Sequence, residues 1–288
     1  MPDTELQEDF EVIIESNPSW FDIDWQGIVQ YRDMLFFLVY RDFVAKYKQT
    51  ILGPLWFIIQ PLFMTLIFTV IFGKVAGLST DGLPGVLFYL SGQLGWTYFA
   101  QCFSTTSTTF IANANLFGKV YFPRVVVPLS VVVSNLLAFT IQLVTFLCFW
   151  TYFKFFTDKG DLFGMSATIV LLPLLILQVA GIALGVGLWM SALTAKYRDL
   201  THAASFLIQG WMYVTPVIYP LSEVPENWRW VVSLNPMTSV VESFRHMFLG
   251  TSSLTSGLVG MSVGITIVVA LSGLALFNRV QRTFVDYS

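Results

Sequence analysis

Residues 41–76 read RDFVAKYKQTILGPLWFIIQPLFMTLIFTVIFGKVA, a basic amphipathic lead that stops at Gly53-Pro54 and continues as a predominantly apolar run. A run of about 20 apolar residues crosses the roughly 30 Å hydrocarbon layer as a helix, because unpaired backbone amides are too costly in lipid. Five further stretches of this kind follow, giving expected spans at 55–76, 85–110, 125–152, 167–193, 203–221 and 257–277. With 55% hydrophobic and only 11% charged residues in 288, the chain is too apolar for a soluble fold. The expected fold is an all-α integral membrane protein of six transmembrane helices.

Orientation follows from where Lys and Arg fall. With a cytoplasmic N-terminus, Arg32, Arg41, Lys46, Lys48, Lys119, Arg124, Lys196, Arg198, Arg279 and Arg282 lie inside, and Lys74, Lys154, Lys159, Arg229 and Arg245 lie outside. Both termini are therefore expected in the cytoplasm, with residues 278–288 as a C-terminal tail. Residues 1–25 carry eight acids and no base, unlike the basic start of a cleavable signal peptide, so a retained acidic tail is expected there. Cys102 and Cys148 both fall within expected spans and read as small packing residues.

Residues 26–54 are too charged to cross lipid and too apolar to stand free of it. At about 100° per residue, Tyr40, Val44, Tyr47 and Ile51 share one face, and Arg41, Asp42, Lys46, Lys48 and Gln49 share the other. This is the pattern of an interfacial amphipathic helix on the cytoplasmic membrane surface. It serves either as a plain anchor or as a helix turning sharply at Gly53-Pro54 into the first span.

The second cytoplasmic connection, NANLFGKVYFPR (113–124), keeps Leu116, Phe117, Val120, Tyr121 and Phe122 where water disfavours them. These side chains either tuck against the ends of the spans or fill a groove on a cytoplasmic partner. The third connection, TAKYRDL (194–200), is a short charged turn, so a partner touching Lys196, Tyr197, Arg198 or Asp199 would press directly on the adjoining spans. The outer connection 222–256 is too apolar for a free loop and too interrupted to span. Two short re-entrant helices in 222–250, broken at Asn235-Pro236, fit it best. Within them Glu242, Arg245 and His246 have spacings that allow local pairing.

No GxxxxGK[ST] phosphate loop occurs, so nucleotide hydrolysis is not expected in this chain. Gln60, Gln101, Asn135, Gln142, Gln178 and Gln209 are the main polar side chains at membrane depth, and amides do not relay protons. Neither histidine, His202 or His246, has an acidic pair or metal cluster beside it, which argues against an enzyme and against a metal site. Aromatic residues within the spans fit interfacial belts. Together with Gln60, Gln101 and Gln209 they equally fit a carbohydrate path, in which flat rings pack on sugar C–H faces.

RDFVAKYKQTILGPLW (41–56), NANLFGKVYFPR, TAKYRDL, YVTPVIYP (213–220) and NPMTSVVESFR (235–245) together resemble the transmembrane subunit of type-two ABC exporters for polysaccharides, the family of O-antigen, capsule and teichoic acid permeases. The resemblance implies a homodimeric permease in a bacterial inner membrane that binds two copies of a separate ATPase, which holds ATP and Mg. It implies an undecaprenyl-linked polysaccharide, most of all O-antigen, as cargo. Leu116, Phe117, Gly118, Lys119, Val120 and Tyr121 would then form the main ATPase-docking helix, completed by Lys196–Asp199 and by the interfacial helix with Arg41, Lys46 and Lys48. A channel at the dimer interface would be lined by Tyr89, Trp96, Tyr98, Phe99, Trp211 and Tyr213. Trp228, Trp230, Glu242 and Arg245 would belong to an outer gate. A drug or lipid exporter of the same architecture, and a scaffold for surface-polymer assembly, are the competing expectations. No nucleic-acid partner is expected, since no basic patch of useful size is present.

Overall fold

The computed structural model describes residues 25–48, 50–120, 122–251 and 254–283. The acidic stretch before Trp25, Tyr121, and the side chain of Lys46 lie outside the described set. Helices α1 (Trp25–Gln30) and α2 (Arg32–Tyr47) precede α3 (Trp56–Phe68), which continues as a wider π-turn over Thr69–Val75. Then come α4 (Gly85–Thr106), the short α5 (Thr109–Ala112) and α6 (Ala114–Phe117), and the long α7 (Val126–Phe156) and α8 (Leu172–Lys196). Helices α9 (Leu200–Val214), α10 (Glu226–Leu234), α11 (Pro236–Leu249) and α12 (Ser256–Thr283) complete the chain. No strand occurs among the described residues.

Four segments are long and apolar enough to cross a membrane: Gly53–Val75, Val126–Phe156, Ala167–Lys196 and Ser256–Gln281. The other two expected spans depart from that pattern for separate reasons. Helix α4 has the length, but it carries Ser91, Gly92, Gln93 and Gly95, and most of its residues are buried by α3, α7, α8, α9 and α11 rather than offered to lipid. Helix α9 stops at Val214, seven residues before the expected end at 221. Thr215 is extended because Pro216 follows it, and a residue before proline is pushed out of the helical region. Fifteen residues make only about 22 Å of helix, and the chain continues to Pro220 through turns and bends.

Helices α3, α4, α7, α8, α9 and α12 alternate in direction between two ends. At one end Leu38, Phe110, Phe117, Phe122, Val126, Val127, Leu188 and Phe277 form a single cluster, and the Thr194 hydroxyl donates to the Ser107 carbonyl at 2.8 Å. At the other end the Ser222 hydroxyl donates to Asp81 at 2.8 Å, and the Trp150 ring N–H donates to the Phe248 carbonyl at 2.8 Å.

Helix α2 seats on α7 by Leu38, with Tyr31, Met34 and Leu35 around it, an i, i+3, i+4, i+7 stripe. Tyr40 is 68% exposed and Ile51 fully so, away from the side of α2 that packs on the cluster around Phe117. Arg41 pairs with the adjacent Asp42 at 2.7 Å, and Lys48 is exposed. Cys102 is buried, but Cys148 is exposed on the outward side of α7 and does not pack in the core.

Helices α8 and α12 cross at glycine. A Cβ on Gly273 would stand 2.3 Å from the Gly185 carbonyl oxygen, and one on Gly185 would stand 2.7 Å from the Val269 backbone. Backbones this close maximise van der Waals contact where lipid offers no hydrophobic drive. Gly273→Ala should therefore destabilise the purified protein by about 1–3 kcal/mol, read as a lower thermal midpoint in detergent, because neither neighbouring backbone can withdraw.

Candidate functional site

At the end that holds α2, residues 113–124 form a folded edge rather than a free loop. The expected helix at 116–121 lies earlier, at Ala114–Phe117, and closes at Gly118, whose N–H donates to the Ala114 carbonyl at 3.1 Å. Phe117 points inward at 9% exposure, with its ring 6.0 Å from Phe110 and 5.8 Å from Phe122. Leu116 is half-buried against the same cluster. Among the described residues Ile111, Ala112, Ala114, Asn115, Gly118, Lys119 and Val120 are exposed along this edge. Beside it Lys196, Tyr197, Arg198 and Asp199 are all exposed, with the Lys196 ammonium 5.3 Å from the Tyr197 ring centroid.

Arg124 closes this edge. Its guanidinium lies 5.4 Å from the Phe117 ring centroid, and Nη1 donates to the Gln281 carbonyl at 2.8 Å. Burial lowers its pKa from the usual arginine value by stripping hydration. The group nonetheless stays charged, since guanidinium does not deprotonate in proteins.

At the opposite end, the break after α9 is held by α11. Pro216 and Pro220 prevent residues 215–220 from continuing the helix, which frees their carbonyls. Arg245 takes two of them, with Nη2 donating to Val217 at 2.9 Å and Nη1 to Tyr219 at 3.4 Å. Glu242 accepts from Nη1 at 2.8 Å, the local pairing that the three-residue spacing predicts. The guanidinium stacks on Phe88 at 3.8 Å, and Gly92 leaves room for it: a Cβ there would stand 3.1 Å from Nη2. Arg245 is 2% exposed and Glu242 3%, so this is a desolvated ion pair. Asn235 holds the same junction: its Oδ1 accepts from Met237 N and from the Trp211 ring N–H, both at 3.0 Å, and its Nδ2 donates to the Thr215 hydroxyl at 2.8 Å.

The structure separates the six expected lining aromatics. Tyr89, Trp96, Tyr98 and Phe99 are buried in the core of the single chain. Phe99 meets the Trp211 ring edge-on at 5.0 Å, and the Tyr98 hydroxyl donates to the Val132 carbonyl at 3.2 Å. Tyr213 is 59% exposed and lies in line with His202, Phe206 and Gln209 along the uncovered face of α9. On α3, Trp56, Gln60 and Phe63 form a comparable exposed stripe. Trp228 and Trp230 are exposed on α10, whose Arg229 donates to the Val224 and Ser222 carbonyls at 2.9 and 3.0 Å. Among the described residues no group of three His, Cys, Asp or Glu could hold a metal.

Several side chains at these sites had no place in the sequence-based expectations: Phe110 and Phe277, Asn235 in its bridging role, and the Gln93–Thr65 hydrogen bond at 2.9 Å. Only Asn235 carried a local signal, as an Asn-Pro pair that starts helices well.

Removing one member of the buried pair leaves an uncompensated charge. Glu242→Ala should cost roughly 3–5 kcal/mol, while Glu242→Leu with Arg245→Met should restore most of it, checked by thermal unfolding of the three purified proteins.

Residues 34–249 match the family model described as ABC-2 type transporter. The O-antigen export system permease protein RfbA of Klebsiella pneumoniae is 27% identical over 254 residues, covering 88% of this chain and 94% of that protein. RfbA of Myxococcus xanthus is 31% identical over 225 residues, 77% of this chain and 82% of that one. The polysialic acid transport protein KpsM of Escherichia coli is 21% identical over 252 residues, 84% of this chain and 91% of that one.

Proposed function

Because this chain belongs to the ABC-2 type transporter family, we propose that it is the membrane-spanning subunit of an ATP-driven polysaccharide exporter, and that O-antigen on an undecaprenyl carrier is its cargo. The observation that carries this is the near end-to-end match with permeases named for O-antigen export and polysialic acid transport. The ATP and Mg belong to a partner ATPase, bound in two copies to a homodimer of this chain in a bacterial inner membrane.

Six crossings with both termini cytoplasmic suit the six alternating helices. The end that gathers Arg41, Lys48, Lys119, Arg124, Lys196 and Arg198 is the basic one, as the cytoplasmic side should be. Phe36, Phe37 and Tyr40, exposed on α2, suit a helix whose outer side sits among headgroups. The two-helix element α10–α11 serves as the outer gate, with Trp228 and Trp230 at the surface and the Arg245–Glu242 pair as its mount. The glycan path runs over the uncovered stripes of α3 and α9 between the two copies. There Trp56, Phe206 and Tyr213 offer flat rings, and Gln60 and Gln209 offer hydrogen bonds.

The ATPase sits on Asn115, Lys119 and Val120 beside Lys196–Asp199. Val120→Asp places a charge in that contact without touching the core, and should weaken co-purification of the ATPase roughly tenfold or more while leaving folded yield unchanged. Phe117→Asp should instead reduce folded yield, because it buries a carboxylate in the aromatic cluster. Wild-type retention of the ATPase by the Val120→Asp chain would contradict the assignment. For the path, Gln209→Ala with Tyr213→Ala should lower ATP-dependent glycan export by roughly tenfold, with complex assembly intact.

A further inference from the structure

The last helix ends on the docking edge. Helix α12 is described to Thr283, and it brings its backbone carbonyls around residue 281 up to Arg124. Arg124 takes the one at Gln281, at 2.8 Å. One turn earlier on α12, Phe277 stacks on Phe110 with ring centroids 4.6 Å apart and planes 23° apart. Phe110 and Arg124 both also touch Phe117. The end of α12 is thus held at two points, four residues apart on one helical face, by the same short piece of chain that carries Lys119 and Val120.

From this end α12 continues through the glycine crossing on α8, where the backbones are too close to slide independently. Near its start the Ser262 hydroxyl donates to the Pro236 carbonyl at 2.9 Å, at the first residue of α11. The ordered backbone between Ser262 and Phe277 is about 22 Å of helix. A rigid helix pinned at both ends passes displacement along its axis with little loss, provided that both pins hold.

We infer that Arg124 is a positioning residue for coupling: it ties the end of α12 to the ATPase-docking edge, so that motion imposed on residues 113–120 reaches α11 through α12. This rests on the proposed docking of an ATPase at that edge. The aromatic stack alone would let the helix end slide across the Phe110 ring, because stacking is weakly directional. The hydrogen bond from a fixed guanidinium to one carbonyl removes that freedom.

The test uses proteoliposomes holding the full complex and an undecaprenyl-linked O-antigen glycan, with ATP hydrolysis and glycan export measured together. Arg124→Gln is expected to keep hydrolysis within about twofold of wild type while export per ATP falls roughly tenfold. Arg124→Lys, which keeps a cationic donor in reach of Gln281 and Phe117, is expected to recover most of that loss. Phe277→Leu, which removes the stack but preserves an apolar contact, is expected to lower the same ratio by a smaller factor and serves if Arg124→Gln fails to assemble. Unchanged export per ATP in Arg124→Gln, or in Phe277→Leu where that variant stands in for it, overturns the inference, as does failure of Arg124→Lys to recover. ATPase that still binds the Val120→Asp chain would overturn the docking premise instead.

Discussion

The close seating of α11 on α4 is the constraint on which the rest of the molecule depends. Gly92 and Gly95 keep the α4 surface bare, and the Arg245 guanidinium and Phe244 ring occupy the space their side chains would fill; a Cβ on Gly95 would stand 2.8 Å from that ring. Every residue of α11 except His246 is consequently buried. Once α11 is seated, Arg245 can reach the carbonyls that Pro216 and Pro220 release, with Glu242 neutralising it. In a lipid setting this matters, because irregular backbone is tolerated only where protein satisfies its polar groups.

This seating also explains why α4 can be so polar. Gln93 donates to Thr65 on α3 at 2.9 Å, and Ser91 donates back to the Phe88 carbonyl at 2.9 Å, whereas the buried Tyr89 and Thr106 hydroxyls of the same helix have no partner among the described residues. Its neighbours α3, α7 and α8, together with α12 packed on α8, carry the apolar surface instead. The chain divides labour between one protein-enclosed helix and a surround that is compatible with lipid.

That division decided what could be read from residue order. Helices α3, α7, α8 and α12 announce themselves as long apolar runs, and their bounds fall within a few residues of expectation, apart from the extension of α12 to Thr283. Helix α9 was overextended because Val217, Ile218 and Tyr219 continue its apolarity, although Pro216 already stops the helix. The inward turn of Phe117 was not legible: its partners Phe110, Phe122 and Phe277 come from three segments, and no local pattern joins Phe277 to the others. The same cluster selected Leu38 over Tyr40 as the packed side of α2. Burial of Tyr89, Trp96, Tyr98 and Phe99 was likewise hidden, since an aromatic ring in a span has the same periodicity whether it faces a neighbour or a lumen. Exposed Gln209 and Tyr213, seven and eleven residues beyond His202 along one helical face, are what the structure leaves uncovered.

The two ends of the bundle thus differ in kind. One is an aromatic and cationic edge, and the other is a hydrogen-bonded junction around a broken helix. The most direct test of the account is ATP-dependent movement of an undecaprenyl-linked glycan across liposomes that contain only this chain and its ATPase subunit. The account predicts movement that stops when ATP is withheld or when either protein is left out. Glycan movement without ATP, or none with both proteins and ATP present, would contradict it.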